Sequence, residues 1–251
     1  MAHRNQMTTQ TLPDATPNNP AAHRHFTSRH ISTVSFLVAL VLFLVSTPFV
    51  EGLPNGDFLD SAFLTIVLVF GVLAVARNRM LLATALILAA FAVSGRWLHQ
   101  FRPDLPRECF VVPGLLFIVL VVTTLLYFIL RAPRVNAEVL CAGLSTYLLL
   151  GMAWMFAYLL VSEWTPGAFN IASGPDAGHT LDGFNAYYFS YITLSTVGYG
   201  DILPVSHVAR MLAAAEGITG TLFMAVLIAR LVALYTSQTP RPAGKDPAPL
   251  R

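Results

Sequence analysis

The chain has 251 residues, of which 55% are hydrophobic and only 11% are charged, and its formal net charge is +2. Soluble domains carry about one quarter charged residues, so this composition favours a membrane protein. The net charge is too small to suggest a nucleic-acid partner, and we expect none.

The first thirty residues differ from the rest of the chain. Residues 1–30 are polar, contain three prolines and show no apolar periodicity, which is typical of a disordered tail. A signal peptide is the competing interpretation of the N-terminal region. However, the polar lead is about thirty residues long, and no small-residue cleavage motif follows the first apolar run. We therefore interpret that run as an uncleaved membrane segment.

Apolar runs of sufficient length then recur along the chain. A helix that spans a bilayer needs about twenty apolar residues. Six stretches qualify, at residues 32–50, 58–76, 80–98, 110–130, 138–161 and 207–235. The predicted fold is an all-α membrane protein with six transmembrane helices. We divide it into a disordered cytoplasmic tail (1–30), a four-helix membrane domain (31–135), a second membrane domain (136–236) and a short cytoplasmic tail (237–251).

The distribution of basic residues predicts the orientation, because cytoplasmic loops carry an excess of Lys and Arg. Basic residues lie in the N-terminal tail, the second and fourth loops and the C-terminus, whereas the first and fifth loops are mainly acidic. Both termini are therefore predicted to be cytoplasmic in a multi-pass protein of the cell membrane, which we expect to be a bacterial inner membrane. The loop 96–109 carries Arg96, Arg102 and Arg107 and opposes this scheme.

The segment between the fifth and sixth stretches contains two different parts. Residues 162–183 are rich in Gly, Pro, Ser and Asp and are predicted to form an exposed loop. Residues 184–194, FNAYYFSYITL, are apolar but long enough for only about three helical turns, so they cannot span the bilayer. A short helix followed by extended backbone that contains glycine is a re-entrant loop. Such backbone is tolerated at membrane depth only when it is buried in protein or lines a watery path.

The extended part carries the most specific motif in the chain. Residues 196–200 read Thr-Val-Gly-Tyr-Gly and resemble the selectivity filter of the tetrameric potassium channels, and Asp201 and Pro204 extend the match. The resemblance covers about residues 138–235, as outer helix, re-entrant pore helix, filter and inner helix. It implies that residues 136–236 form a pore domain. It also implies that the protein conducts K⁺ passively across the membrane and is not an enzyme.

The physics of a dehydrated ion explains the residue types of the filter. A bare cation in hydrocarbon costs on the order of tens of kcal/mol, so oxygen atoms must replace its lost water. Glycine tolerates the positive φ that brings successive carbonyls to one axis, which assigns that role to Gly198 and Gly200. We assign K⁺ coordination to the carbonyls of Thr196, Val197, Gly198 and Tyr199 and to the Thr196 hydroxyl. The side chains of Val197 and Tyr199 are expected to pack against the pore helix.

The same geometry fixes the expected assembly. One chain supplies one oxygen to each layer of the filter and cannot encircle an ion, so four copies must surround one axis in a homotetramer. The lipid bilayer is the other expected partner. K⁺ is the permeant ion, and we expect no cofactor and no small-molecule substrate.

Several residues beside the filter are expected to support it. The C-terminal end of the pore helix should offer the negative end of its dipole to the ion path. Tyr188, Phe189 and Tyr191 are predicted to form an aromatic ring around the filter, with interfacial anchoring as the alternative. Some members of the family carry Glu where this chain has Ile192, so gating at the filter is expected to differ here. The complete set of predicted supporting residues is Thr193, Ser195, Asp201, Tyr188, Phe189 and Glu216.

The last apolar stretch contains an acidic residue and two candidate gating glycines. Glu216 lies well inside the predicted span and is a functional candidate, expected to bond the pore-helix end near Thr193 or Ser195. A protonated carboxyl that only packs is the alternative. Gly217 and Gly220 are candidates for a gating hinge, with close packing as the alternative. Elsewhere in this stretch, Arg210 and Arg230 are expected to extend to the two membrane interfaces.

The fourth stretch lacks the charges of a voltage sensor. Residues 110–130 contain no charged residue, whereas voltage-gated relatives carry Arg or Lys at every third position. Each charge that crosses the field contributes about 2.3 kcal/mol per 100 mV, so we predict weak voltage dependence.

Other functions remain as alternatives. A weakly selective cation channel and a non-conducting modulatory subunit are both compatible with the motif. Potassium uptake transporters of the Trk/Ktr/HKT superfamily have related pore loops, but they carry four repeats per chain and this chain has one. An enzyme would need a polar constellation inside the spans, and the sequence shows none.

Overall fold

The structure is a computed structural model that describes residues 20–50, 56–75, 79–102, 104, 106–134, 136–172, 177–178 and 180–238. These residues form seven helices and two short strands. In chain order the elements are α1 (Pro20–Val50), α2 (Gly56–Val75), α3 (Arg79–Phe101), α4 (Glu108–Arg131), α5 (Ala137–Trp164), β1 (Phe169–Ile171), α6 (Gly183–Leu194), β2 (Ile202–Pro204) and α7 (His207–Gln238).

Each predicted apolar stretch lies on a helix, apart from residue 76, which is outside the described residues. Five of these helices are long and apolar enough to cross a membrane. The five candidate spans are Thr33–Val50, Arg79–Phe101, Glu108–Arg131, Ala137–Trp164 and His207–Ala233. The apolar part of α2 is shorter, at Ser61–Leu73. The mainly helical architecture is thus consistent with a multi-pass membrane protein, while a count of six spans stays a prediction.

The first helix begins earlier than the sequence predicted. α1 starts at Pro20, so residues 20–30 are helical and the predicted disordered tail 1–30 is wrong for that part. Proline suits the first position of a helix, because its fixed φ fits and its missing N–H would have no partner there. Residues 1–19 and 239–251, which include most of both predicted tails, lie outside the described residues.

The helices share one hydrophobic core that is centred on α4 and α5. Phe117 and Val121 of α4 are almost completely buried, as are Leu149 and Met152 of α5. Small residues allow this close approach, since a Cβ on Gly114 of α4 would lie 3.4 Å from the ring of Phe156 on α5. The predicted boundary near residue 135 therefore separates two parts of the chain that belong to a single core.

The loop predicted at residues 162–183 is partly ordered and buried. β1 pairs with β2 in antiparallel register, with Phe169 opposite Pro204 and Ile171 opposite Ile202. Ala168, Phe169 and Ile171 are almost fully buried, so the prediction of an exposed loop is wrong for them. The partner strand follows more than thirty residues later, and local sequence could not indicate it. This pairing holds together the two ends of the segment that contains α6 and the motif.

Candidate functional site

The helix that precedes the motif has a defined start and end. The Asp182 carboxylate caps the first turn of α6, where it accepts a hydrogen bond of 3.0 Å from the amide of Asn185. At the other end, the Ser195 hydroxyl donates to the Tyr191 carbonyl at 2.7 Å. The helix covers Gly183–Leu194, which agrees with the short helix predicted at 184–194. It ends directly before the motif.

Backbone amides of the motif turn back onto the end of α6. The Thr196 amide donates to the Thr193 carbonyl at 3.0 Å, and the Val197 and Gly198 amides donate to the Ile192 carbonyl at 2.8 and 3.2 Å. These bonds satisfy carbonyls that a helix end otherwise leaves without partners. Thr193 thus contacts the motif through its backbone oxygen, while its supporting role stays a prediction. The N–H groups of the motif bind it to the end of the helix.

Left-handed backbone recurs at every second residue of the motif. The φ angles of Thr196, Gly198 and Gly200 are 61°, 51° and 83°, while Val197 and Tyr199 have negative φ. Alternation of backbone handedness turns like groups of successive peptides toward a common side. The positive φ expected at Gly198 and Gly200 is therefore present. Thr196 is the one non-glycine with positive φ in the described part of the chain, and such a residue stores about 1–3 kcal/mol of strain.

The carbonyl oxygens of the motif have no hydrogen-bond partner among the residues that the structure describes. In the described part of the chain, no hydrogen bond is accepted by the carbonyl oxygens of residues 196–200. Residues 195–200 are all exposed in the single chain. An unpaired peptide group in hydrocarbon costs several kcal/mol, so these oxygens require water, an ion or another copy of the chain. The side chains of Val197 and Tyr199 are likewise 52% and 72% exposed, so α6 of the same chain leaves most of their surface uncovered.

The residue after the motif is held by a side chain of α6. The Tyr188 hydroxyl donates to Asp201 Oδ2 at 2.7 Å, and Asp201 Oδ1 accepts from the Ile202 amide at 3.1 Å. The pKa of Tyr188 is raised to about 12. The largest cause is loss of hydration, and the hydrogen bond to Asp201 is the next. Tyr188 is therefore a protonated donor at neutral pH. The structure brings together these two predicted supporting residues.

Phe189 and Tyr191 do not surround the motif as predicted. Phe189 is buried in edge contact with Tyr158 and Phe169, at ring-centroid distances of 5.0 and 5.6 Å. The Tyr191 hydroxyl donates to the Leu148 carbonyl of α5 at 2.7 Å. Helical geometry explains the error, because consecutive residues point about 100° apart and cannot all face the same neighbour.

Glu216 lies at the junction of three helices and is completely buried. Tyr158 of α5 donates its hydroxyl hydrogen to Glu216 Oε2. Ser190 of α6 lies 2.5 Å from Glu216 Oε1 and 2.8 Å from the Gly151 carbonyl of α5. The predicted contact at Thr193 or Ser195 is therefore wrong. The carboxyl instead joins α7 to the middle of α6 and to α5.

The two glycines of α7 have different surroundings. A Cβ on Gly220 would lie 2.3 Å from the Leu194 backbone oxygen, a distance that real Cβ atoms do not adopt. A Cβ on Gly217 would lie 4.0 Å from the Thr193 oxygen, which is an ordinary contact. The geometry supports the alternative of close packing at Gly220, where α7 meets the end of α6. A hinge at either position stays a prediction.

Both arginines of α7 have defined partners, while their extension to the membrane interfaces stays a prediction. Arg230 donates from Nη2 to the carbonyls of Leu130 and Ala132 at 2.9 and 3.1 Å. These carbonyls lie at the C-terminal end of α4, where a cation is favourable. Near the other end of α7, Arg210 Nε donates to the Pro204 carbonyl at 3.2 Å. The guanidinium of Arg230 thereby connects α7 to α4.

Part of the loop that opposes the predicted orientation belongs to a helix. α3 continues to Phe101, so Arg96 lies on α3, and its Nε donates to Ser61 of α2 at 3.1 Å. Gln100 donates to the same hydroxyl at 2.9 Å. Arg96 is therefore part of the packing between α2 and α3, and the predicted loop 96–109 is shorter than expected.

Comparison with known proteins locates a similarity in the same region. Residues 114–237, just under half of the chain, match a family model described as "Ion channel". A protein of Arabidopsis thaliana named "Two-pore potassium channel 4" is 36% identical over 88 residues, which is 35% of this chain. That alignment spans 30% of the relative's own length. No solved structure matches. The region from α4 to α7 is therefore similar to the ion-channel family, and the apolar helices of the chain are consistent with a membrane ion channel.

Proposed function

We propose that this protein is a potassium-selective channel that conducts K⁺ passively as a homotetramer. The observation that carries the proposal is the row of unpartnered carbonyls in Thr-Val-Gly-Tyr-Gly, which has alternating backbone handedness and follows a short helix. In this proposal the carbonyls of residues 196–199 and the Thr196 hydroxyl replace the hydration shell of the ion. The similarity of residues 114–237 to ion channels supports it.

Assembly follows from what a single chain leaves uncovered. Only 11% of the α7 span is buried, and Ile218, Leu222 and Val226 form an exposed apolar stripe at four-residue spacing. Apolar side chains can face lipid, but the exposed backbone of residues 196–200 cannot. Four copies around one axis would enclose both the backbone and part of the stripe. The bilayer would cover the remaining apolar surface.

The absence of charge along the fourth stretch supports a channel without a charged voltage sensor. Residues 109–130 of α4 carry no ionisable side chain other than Cys109 and Tyr127, neither of which is a fixed charge. The membrane potential therefore has no fixed charge to act on in this part of α4. A steep relation between charge movement and voltage, carried by α1–α4, would contradict this part of the proposal.

Flux measurements in liposomes test the function. The purified chain is reconstituted with a K⁺ gradient, and K⁺ flux is compared with Na⁺ flux. Gly200→Ala should abolish selective K⁺ flux, because alanine disfavours the φ of 83° that the filter needs.

Gly167→Ala is the matched control for this experiment. Gly167 has a φ of 79°, and both glycines have open space around the position of a Cβ, but Gly167 lies outside the motif. Gly167→Ala should therefore introduce similar strain and keep selective flux. Equal Na⁺ and K⁺ flux in the wild type would favour the weakly selective cation channel. A folded tetramer without flux would favour the non-conducting subunit.

A further inference from the structure

Three oxygen–oxygen contacts form a chain in the interior of the protein, where α5, α6 and α7 meet. Tyr158 bonds Glu216, Glu216 contacts Ser190 at 2.5 Å, and Ser190 contacts the Gly151 carbonyl at 2.8 Å. Tyr158, Ser190 and Glu216 have no exposed surface in the single chain. Solvent is therefore not positioned to supply hydrogen atoms to these contacts.

The number of hydrogens that the contacts require exceeds the number that the hydroxyls can donate. Oxygen atoms approach to such distances when a hydrogen lies between them. The hydroxyls of Tyr158 and Ser190 supply one hydrogen each, and the Gly151 carbonyl supplies none. Three contacts therefore require a third hydrogen. The remaining group that can carry it is the carboxyl of Glu216.

We propose that Glu216 holds a proton in the folded protein and donates it to Ser190. Ser190 can then donate its own hydrogen to the Gly151 carbonyl, and Tyr158 donates to the second oxygen of Glu216. If Glu216 were ionised, the Ser190 hydroxyl could donate its one hydrogen either to Glu216 or to the Gly151 carbonyl, but not to both. The contact between Ser190 and Gly151, or that between Ser190 and Glu216, would then bring two acceptors together without a hydrogen.

The surroundings of Glu216 favour the neutral form independently of this count. In the described part of the chain, the hydrogen-bond partners of Glu216 are Tyr158 and Ser190, and neither carries a positive charge. Among the described residues, Tyr147 of α5 and Tyr191 of α6 also lie within electrostatic range of Glu216, and both are neutral when protonated. A carboxylate here would be a buried charge without a counter-charge, which is strongly unfavourable.

The proton on Glu216 allows Ser190 to attach the proposed pore helix, α6, to both α5 and α7. Ser190 lies one turn before Thr193, whose carbonyl holds the first amide of the motif. Loss of the proton would place a negative charge behind the motif and break one of the contacts that position α6. Resting on the proposed function, we infer that K⁺ flux decreases reversibly at alkaline pH because Glu216 ionises. Glu216 is a positioning residue in this scheme.

Infrared spectroscopy of the reconstituted full chain tests the protonation directly. The infrared difference spectrum of wild type minus Glu216→Gln at neutral pH should show the C=O band of a protonated carboxylic acid. Exchange into D₂O should shift this band. The glutamine amide can still donate to Ser190 and accept from Tyr158, so the substitution keeps the hydrogen count. Glu163→Gln removes an exposed carboxyl group and serves as the control. The difference spectrum of wild type minus Glu163→Gln should lack this band. A difference spectrum for Glu216→Gln that contains only carboxylate bands would overturn the proposal.

Two further measurements keep the proposal open to refutation if Glu216→Gln folds poorly or the protein does not conduct. Ser190→Ala removes the acceptor, so the carboxylic acid band should move to higher frequency; an unmoved band contradicts the proposal. In flux assays normalised to neutral pH, wild type should lose K⁺ flux at alkaline pH, and Glu216→Gln should not show this loss. An identical loss in both would exclude Glu216 as its cause. The spectra require no conduction, so failure of the channel function and failure of this inference are separable.

Discussion

Replacement of Gly220 by alanine tests whether α7 packs as closely on the end of α6 as the structure shows. The added Cβ would lie 2.3 Å from the Leu194 backbone oxygen and 3.0 Å from Leu194 Cδ1. The side-chain atom can move by rotation, but the carbonyl oxygen belongs to the backbone at the end of α6. Relief therefore requires α7 and α6 to separate by about 1 Å before ordinary van der Waals contact is restored.

The expected cost follows from this displacement. Overpacking of a well-packed interior costs about 1–3 kcal/mol, and alanine recovers up to about 1 kcal/mol through its higher helix propensity. Gly217→Ala gains the same propensity, and its Cβ would meet the Thr193 oxygen at 4.0 Å without a clash. We therefore expect the free energies of unfolding of the two variants to differ by about 1–3 kcal/mol, with Gly220→Ala the less stable.

Thermal unfolding in detergent measures this difference. Wild type, Gly217→Ala and Gly220→Ala are compared by the temperature at which the folded, assembled protein is lost during size-exclusion chromatography. We expect Gly220→Ala to unfold at a lower temperature than wild type and Gly217→Ala to unfold at the same or a higher temperature. Equal stability of the two variants would refute close packing at Gly220 and favour a role in bending alone.

Two other contacts give further expected outcomes. Tyr188→Phe removes the hydrogen bond to Asp201 and should destabilise the end of the motif next to Asp201 by about 1 kcal/mol. We expect this variant to show a lower K⁺/Na⁺ flux ratio in the liposome assay. Because the folded-state pKa of Tyr188 is raised to about 12 from 10.0, the bond contributes fully below about pH 10 and is lost as pH rises toward 12. Arg230→Ala removes the bonds to the carbonyls of Leu130 and Ala132, so amide hydrogen exchange at the C-terminal end of α4 should accelerate.

Each of these outcomes has a contradicting result. A Tyr188→Phe variant with the wild-type flux ratio would show that the Asp201 bond does not hold the motif. For Arg230, the matched control is Arg131→Ala, because Arg131 stacks on Tyr127 with 4.5 Å between its Cζ and the ring centroid. Equal acceleration of exchange in Arg131→Ala and Arg230→Ala would mean that loss of positive charge, and not the specific bonds, causes the effect.

Local sequence patterns were sufficient for the elements that depend on local physics. The apolar stretches predicted the helices that contain them, because the length and hydropathy of a segment determine whether it can cross a bilayer. The short helix before the motif followed from the length of its apolar run. The positive φ of Gly198 and Gly200 followed from their residue type, whereas the positive φ of Thr196 did not, since β-branched residues disfavour it.

Contacts between distant residues could not be predicted in this way. Tyr158 and Glu216 are 58 positions apart, and Arg230 is 100 positions from Leu130. Their proximity depends on how α4, α5 and α7 pack, which hydrophobic periodicity does not specify. The same reason explains the missed pairing of β1 with β2. An acidic residue inside an apolar stretch indicated that Glu216 has a specific role, but the predicted partners Thr193 and Ser195 were wrong, and the actual partners are Tyr158 and Ser190.

The most direct test of the central claim is a crystal structure of the protein grown in rubidium salts, in which anomalous scattering locates the ions. Rubidium has nearly the size of potassium and should occupy the same sites. We expect a row of peaks on a four-fold axis, each surrounded by carbonyl oxygens of residues 196–199 from four chains. An assembly without such peaks, or one in which residues 196–200 face lipid, would contradict ion coordination by these carbonyls.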